Sequence, residues 1–98
     1  HYSPLKPLFF VDKSMKELPE NSGIILHDKK DDKLNAVKVI YSSENGNLLE
    51  IAAHLFTSLH AMEDDDSVKQ IYIEPVIEKG IGISIMDRLK KATFQYKL

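Results

Sequence analysis

Cysteine is absent from the 98 residues. That excludes disulfides, thiolate metal sites and cysteine nucleophiles, and it fits a reducing cytoplasm, where the chain is expected to reside. Long apolar runs are missing as well. The longest, Leu8 to Val11, Ile24 to Leu26 and Val39 to Tyr41, fall far short of the ~20 residues that span a bilayer, so no membrane partner is expected. The first residues, His1-Tyr2-Ser3-Pro4, lack a basic patch followed by an apolar stretch, so they do not read as a signal peptide. Position 1 is not Met, and the chain reads as a piece of a longer protein. Nor is there an excess of basic charge. Thirteen Lys and Arg stand against fifteen Asp and Glu, a net charge of −2, whereas a dedicated nucleic-acid binder is usually basic. The string Arg88, Lys90, Lys91 and Lys97 is the one local patch that could touch phosphates. Complementation of a helix C-terminus explains it more simply.

What is present is an ordinary globular balance, 43% hydrophobic and 29% charged, in a length that suits one core. Pro4 and Pro7 favour an extended start, and residues 1–6 read as a linker ahead of a single domain over 7–98. Strands are expected at Leu8 to Val11, Gly23 to Leu26, Ala36 to Tyr41 and Gln70 to Glu74, the third from its β-branched residues. Ser14-x-x-Glu17 has capping-box spacing and predicts a short helix that Pro19 stops. Asn47, with Glu50 three positions on, predicts the start of a long helix carrying Leu48, Ile51, Ala52, Leu55, Phe56, Leu59 and Met62. Leu49 and Ala53 widen its apolar face, and the helix is expected to stop before the acidic run Glu63 to Asp66. A last helix is expected from Gly82 to Thr93. Alternating strands and helices make the class α/β: a small Rossmann-like, three-layer domain with a mainly parallel sheet of about four strands. The expected order is 3-2-1-4 with right-handed crossovers. The short link between the second and third strands leaves open an antiparallel pairing there.

Candidate chemistry is sparse. Gly80-x-Gly82 opens a helix after a strand, where amides could hold an anion. It lacks the third glycine of a dinucleotide fingerprint and follows the last strand, so a tight turn with close helix packing is the simpler reading. Asp87 and Arg88 are adjacent and face different sides. Arg88 could reach Glu74 in a structural ion pair or serve in domain docking. His54 and His60 are six apart, not the spacing that aligns two metal ligands on a helix, and His27 stands alone at a strand end. The acidic runs lack the glycine and bidentate Glu of a calcium loop. No nucleophile–base motif can be read. The core is expected from Phe9, Ile25, Val39, Leu55, Phe56, Ile73, Ile85 and Leu89.

Three stretches, in order, resemble one family. His1-Tyr2-Ser3-Pro4 resembles the His-Tyr-x-Pro linker after the catalytic domain of long-form threonylcarbamoyl-AMP synthases. Asn47-Leu48-Leu49-Glu50-Ile51-Ala52-Ala53-His54-Leu55-Phe56 resembles the helix of their C-terminal domain, with His54 where Asn is common. Glu74 to Leu89 is similar to the signature Glu-x-x-x-x-x-Gly-Leu-Gly-x-Ala-Ile-x-Asp-Arg-Leu, with Ile81 and Ser84 in place of Leu and Ala. The resemblance implies a parent enzyme that joins L-threonine, bicarbonate and ATP into threonylcarbamoyl-adenylate, with a divalent metal, for modification of tRNA. It implies that the substrate sites lie in the preceding domain. This domain then has no catalytic residues and no cofactor, its partner is the catalytic domain of the same chain, and its link to tRNA is indirect. His1, Tyr2 and Pro4 are implied to act as a lid, while Glu74, Gly80, Gly82, Asp87 and Arg88 mark an anion or docking site. The competing readings are a free-standing nucleotide- or RNA-binding module and a small hydrolase.

Overall fold

The structure, a computed structural model, describes residues 4–94. Among them the chain forms β1 (Leu8–Phe10), β2 (Ser22–Leu26), β3 (Lys38–Tyr41), α1 (Leu48–Glu63), β4 (Gln70–Ile73) and α2 (Ile81–Phe94). The strands make one sheet in the order β1-β4-β2-β3, and every pairing is parallel.

That order corrects the expected 3-2-1-4, and burial follows it. All of β2 is buried, and β4 is buried from Ile71 to Ile73. Phe9 and Phe10 of β1 and the whole of β3 are only half-buried. β4 inserts between β1 and β2, so β2 and β4 are covered on both faces at the centre, while β1 lies at an edge although its Leu-Phe-Phe is wholly apolar. The β2–β3 pair is parallel because β3 begins at Lys38, two residues later than expected, so residues 27–37 are free to carry the chain back.

Alternate residues of each strand point to opposite faces. Leu8, Ile25, Ile71 and Ile73 meet Ile51, Leu55, Leu59 and Met62 of α1 and Ile85, Met86 and Leu89 of α2. Ile24, Leu26 and Tyr72 meet Leu18, Met15 and Leu34. Both helices thus lie on one face, and the third layer is irregular chain from the β1–β2 and β2–β3 links. The β1–β2 connection steps across the sheet on the irregular face, and α1 steps back on the other. Opposite directions on opposite faces give both crossovers the same hand. Gly23 lets α1 approach closely, since a Cβ there would run into the Met62 sulfur.

The helix expected at Ser14 is absent. Asp12 Oδ1 accepts from both the amide and the hydroxyl of Ser14, each at 2.9 Å, so the capping hydroxyl is spent on a turn. Asn47 caps α1 as expected, its Oδ1 accepting from the Glu50 amide at 3.0 Å. The buried stripe of α1 is narrower than expected: Ile51, Leu55, Ser58, Leu59 and Met62. Leu49, Ala53 and Phe56 fall outside it and are exposed, because α1 has only the sheet and α2 to lean on. The helix also runs one residue into the acidic cluster. Glu63 accepts the amides of Leu5 at 3.1 Å and Lys6 at 3.3 Å, while Lys6 Nζ donates to the carbonyls of Met62 at 2.9 Å and Asp65 at 2.7 Å. A cation on the helix's last carbonyls offsets the unfavourable charge of the acids.

Candidate functional site

In a parallel sheet, ligand sites form beyond the carboxyl ends of strands whose following segments turn to opposite faces. The chain leaving β2 goes to the irregular face and the chain leaving β4 to the helical face. His27 follows β2, Glu74 follows β4, and Ser42 follows β3. The three converge at this crevice.

His27 is 5% exposed and fully engaged. Its main-chain amide donates to Glu74 Oε1 at 2.7 Å, and its Nε2 lies 2.7 Å from the Glu74 carbonyl oxygen. A carbonyl can only accept, so Nε2 carries the proton and Nδ1 accepts from the Ser42 hydroxyl. Burial lowers the His27 pKa and keeps the ring neutral, against the opposing effect of the Glu74 carbonyl. His54 Nδ1 donates to the Ser42 carbonyl at 3.1 Å, tying α1 to the same strand end.

Glu74 is pushed up to about 7. Partial burial is the main cause, followed by a hydrogen bond with the Asp31 carboxyl and the charges of Asp31 and Asp28, while the His27 amide opposes the rise. Two clefts meet here. One, of about 370 Å³, is lined by His27, Asp28, Asp31, Glu74, Ile77 and Lys79 among others. The other, of about 340 Å³, is lined by Asp12, Lys13, Asp31, Asp32, Leu34 and Glu74 among others.

A serine, a histidine and a glutamate in hydrogen-bonded sequence invite comparison with a hydrolytic triad. The geometry does not support it. The group that orients the imidazole is a main-chain carbonyl rather than a carboxylate, so it does not stabilise an imidazolium as a carboxylate would. Ser42 is 1% exposed and has no face for a substrate. The trio ties three strand ends together. Sequence reading placed His27 alone because nothing in the chain tells that β2 and β4 are neighbours; only the sheet order brings it to Glu74.

The expected site residues are dispersed. His1 and Tyr2 lie outside the described residues. Pro4 is buried near the C-terminus of α1, at the sheet edge opposite Glu74. Gly80 has a φ of +54°, and Gly82 is buried against the Ile77 carbonyl, which a Cβ would strike. The amides of Gly82 and Ile83 donate to the carbonyls of Lys79 at 2.8 Å and Gly80 at 3.2 Å. Two donors that a phosphate would use are therefore turned inward, and the turn does not fit a nucleotide phosphate. Asp87 pairs with Lys91 at 3.1 Å on the exposed side of α2. Arg88 lies over the Phe56 ring, 5.8 Å from its centroid, on the side of α2 facing α1. That direction takes it away from Glu74, so the expected ion pair does not form. Among the described residues no group of acids and histidines is arranged to hold a metal ion, and no helix is long and apolar enough to cross a membrane.

Comparisons with known proteins place these features. No curated protein matches the chain. The crystal structure of P. abyssi Sua5 complexed with L-threonine is similar, with a TM-score of 0.78 and 29% identity over 96% of this chain and 30% of that one. A P. abyssi Sua5 variant, with a histidine and the following tyrosine both replaced by alanine, matches with a TM-score of 0.69. Its identity is 26% over 93% of this chain and 28% of that one. The chain thus spans less than a third of the length of these solved relatives. The family model described as "Threonylcarbamoyl-AMP synthase, C-terminal domain" matches residues 1–93. The chain belongs to the family of threonylcarbamoyl-AMP synthase C-terminal domains.

Proposed function

We propose that this chain is the non-catalytic C-terminal domain of a threonylcarbamoyl-AMP synthase, and that it covers or gates the catalytic domain of the same protein. The carrying observation is the pairing of a family match across residues 1–93 with coverage of only 30% of a solved relative that holds L-threonine. In this reading the parent condenses L-threonine, bicarbonate and ATP in the part of the protein that this chain does not span, and the product serves tRNA modification in the cytoplasm. ATP and its divalent metal belong to that other part.

The segment His1, Tyr2 and Pro4 acts as the lid. Tyr2 combines an apolar ring with a hydroxyl, which suits a contact partly buried and partly hydrogen-bonded. Pro4 restricts the backbone and lowers the entropy lost on docking. The test is Tyr2→Ala in the full-length parent. Adenylate synthesis should fall with the melting temperature unchanged; wild-type turnover would reduce the segment to a tether.

A further inference from the structure

Asn45 precedes Gly46. In that pairing an asparagine side chain is most open to attack by the next main-chain nitrogen, since glycine has no Cβ to hinder ring closure. The other asparagines precede Ser22, Ala36 and Leu48, each with a side chain in the way. Asn45 is exposed, so water and base reach it. Gly46 lines the cleft at the crevice, with His27 and Glu74.

The geometry withholds the nucleophile. The Gly46 amide donates to the His27 carbonyl at 2.8 Å, and the Lys29 amide donates to the Glu44 carbonyl at 3.0 Å. These bonds flank the antiparallel bridge between Asp28 and Asn45 and clamp residues 44–46 to the segment after β2. Ser43 Oγ accepts the amides of Asn45 at 3.3 Å and Asn47 at 3.1 Å, one on each side of Gly46, and lies 3.1 Å from Asn45 Oδ1. Ser43 is buried and donates to Glu50 Oε1 at 2.7 Å, in the first turn of α1. An amide nitrogen attacks only once base has taken its proton, and a proton held on a carbonyl is shielded from base. The clamp therefore blocks the first step while Asn45 stays at the surface.

We propose that Asn45–Gly46 is a deamidation site held inert by the fold, and that opening of this corner commits it to a one-way modification. With the clamp open, solvent base removes the Gly46 amide proton and the nitrogen bonds to Asn45 Cγ. The Cγ–Nδ2 bond breaks, and the side-chain nitrogen takes a proton from water and leaves as ammonia. Water then opens the succinimide ring at either carbonyl, giving an aspartyl or an isoaspartyl residue. Both products place a carboxylate beside Glu44 and opposite Asp28, where like charges repel. The isoaspartyl form also adds a methylene to the main chain ahead of Gly46. That takes the Gly46 amide out of register with the His27 carbonyl and keeps the corner open. The device does not depend on what the parent enzyme does.

Peptide mapping by mass spectrometry tests it on the 98-residue chain, held in mildly alkaline buffer either folded or unfolded in guanidinium chloride. In the unfolded chain Asn45 should be the first asparagine converted to an acid. In the folded chain its conversion should be at least about tenfold slower, because the rate then follows the open fraction. Ser43→Ala removes the brace on both sides of Gly46, and its Asn45 should react about tenfold faster than in folded wild type. Circular dichroism checks that this variant is folded. Sub-denaturing guanidinium on wild type gives a second reading: Asn45 loss should rise in step with amide exchange at Gly46. Equal rates in folded and unfolded wild type, another asparagine reacting first, a folded Ser43→Ala no faster than wild type, or Asn45 loss that ignores exchange at Gly46 would each overturn the proposal.

Discussion

His27 and Glu74 hold each other in both directions: the His27 amide donates to the Glu74 side chain, and the His27 ring donates to the Glu74 main chain, each at 2.7 Å. One residue follows β2 and the other follows β4, so the exchange closes the two central strands at their carboxyl ends. The Ser42 hydroxyl extends it to β3.

Replacing His27 with Ala should therefore cost about 2–3 kcal/mol, since it orphans the Glu74 carbonyl and the Ser42 hydroxyl in buried surroundings. Urea denaturation measures it. The ring also sets an acid limit. Folded His27 has a lowered pKa, so the unfolded chain takes up a proton first as pH falls below the ordinary value of 6.5. Stability is lost in that direction, and His27→Gln should show a shallower loss between about pH 6.5 and pH 5.

Glu74 has the opposite sign. Its folded pKa, about 7, lies above the ordinary 4.5, so between those values the folded state holds a proton that the unfolded state has released. Stability from this group is greatest at low pH and falls as pH rises through the window. Glu74→Gln removes the dependence. Its advantage over wild type should grow from about pH 4.5 to about pH 7 and then level off, as read by denaturation midpoints across that range.

Gly82 lies in a helix, where Ala is normally better by about 1 kcal/mol. Here the sign should reverse. A Cβ would strike the Ile77 main-chain carbonyl, so Gly82→Ala should cost about 2–3 kcal/mol and Gly82→Val more. Gly80→Ala meets no atom and loses only the positive φ of +54°, a cost of about 1–2 kcal/mol. Thermal melts of the three variants should follow that order, with Gly80→Ala the mildest.

These expectations also mark what the sequence could reveal. Periodicity and capping placed α1 and the four strands because local pattern decides them: Asn47 caps, and Ile51, Leu55 and Leu59 recur on one face. Gly82 was legible as a packing glycine because Gly80-x-Gly82 lacks the third glycine of a dinucleotide fingerprint and follows the last strand. Sheet order was not legible, since strand apolarity misleads here: β1, Leu-Phe-Phe, is the more apolar strand yet lies at the edge, and β4, Gln-Ile-Tyr-Ile, lies at the centre. The crevice trio was hidden for the same reason. Phe56 was misread because apolar spacing on α1 is wider than the surface available to cover it.

Lys6 pins the start of the domain to the end of α1 and the turn after it, through the carbonyls of Met62 and Asp65. Lys6→Met should cost about 1–2 kcal/mol by removing a charged donor from a helix C-terminus. Amide exchange at residues 5–8 should rise in the variant, while residues 24–26 in the sheet centre stay protected.

The central claim is that this domain has no chemistry of its own and acts on the rest of the parent protein. Pyrophosphate release from ATP, L-threonine and bicarbonate tests it most directly, with the purified chain measured beside the intact parent. The parent should turn over and the folded chain alone should give only the uncatalysed background. Enzymatic pyrophosphate release by the chain alone would contradict the account.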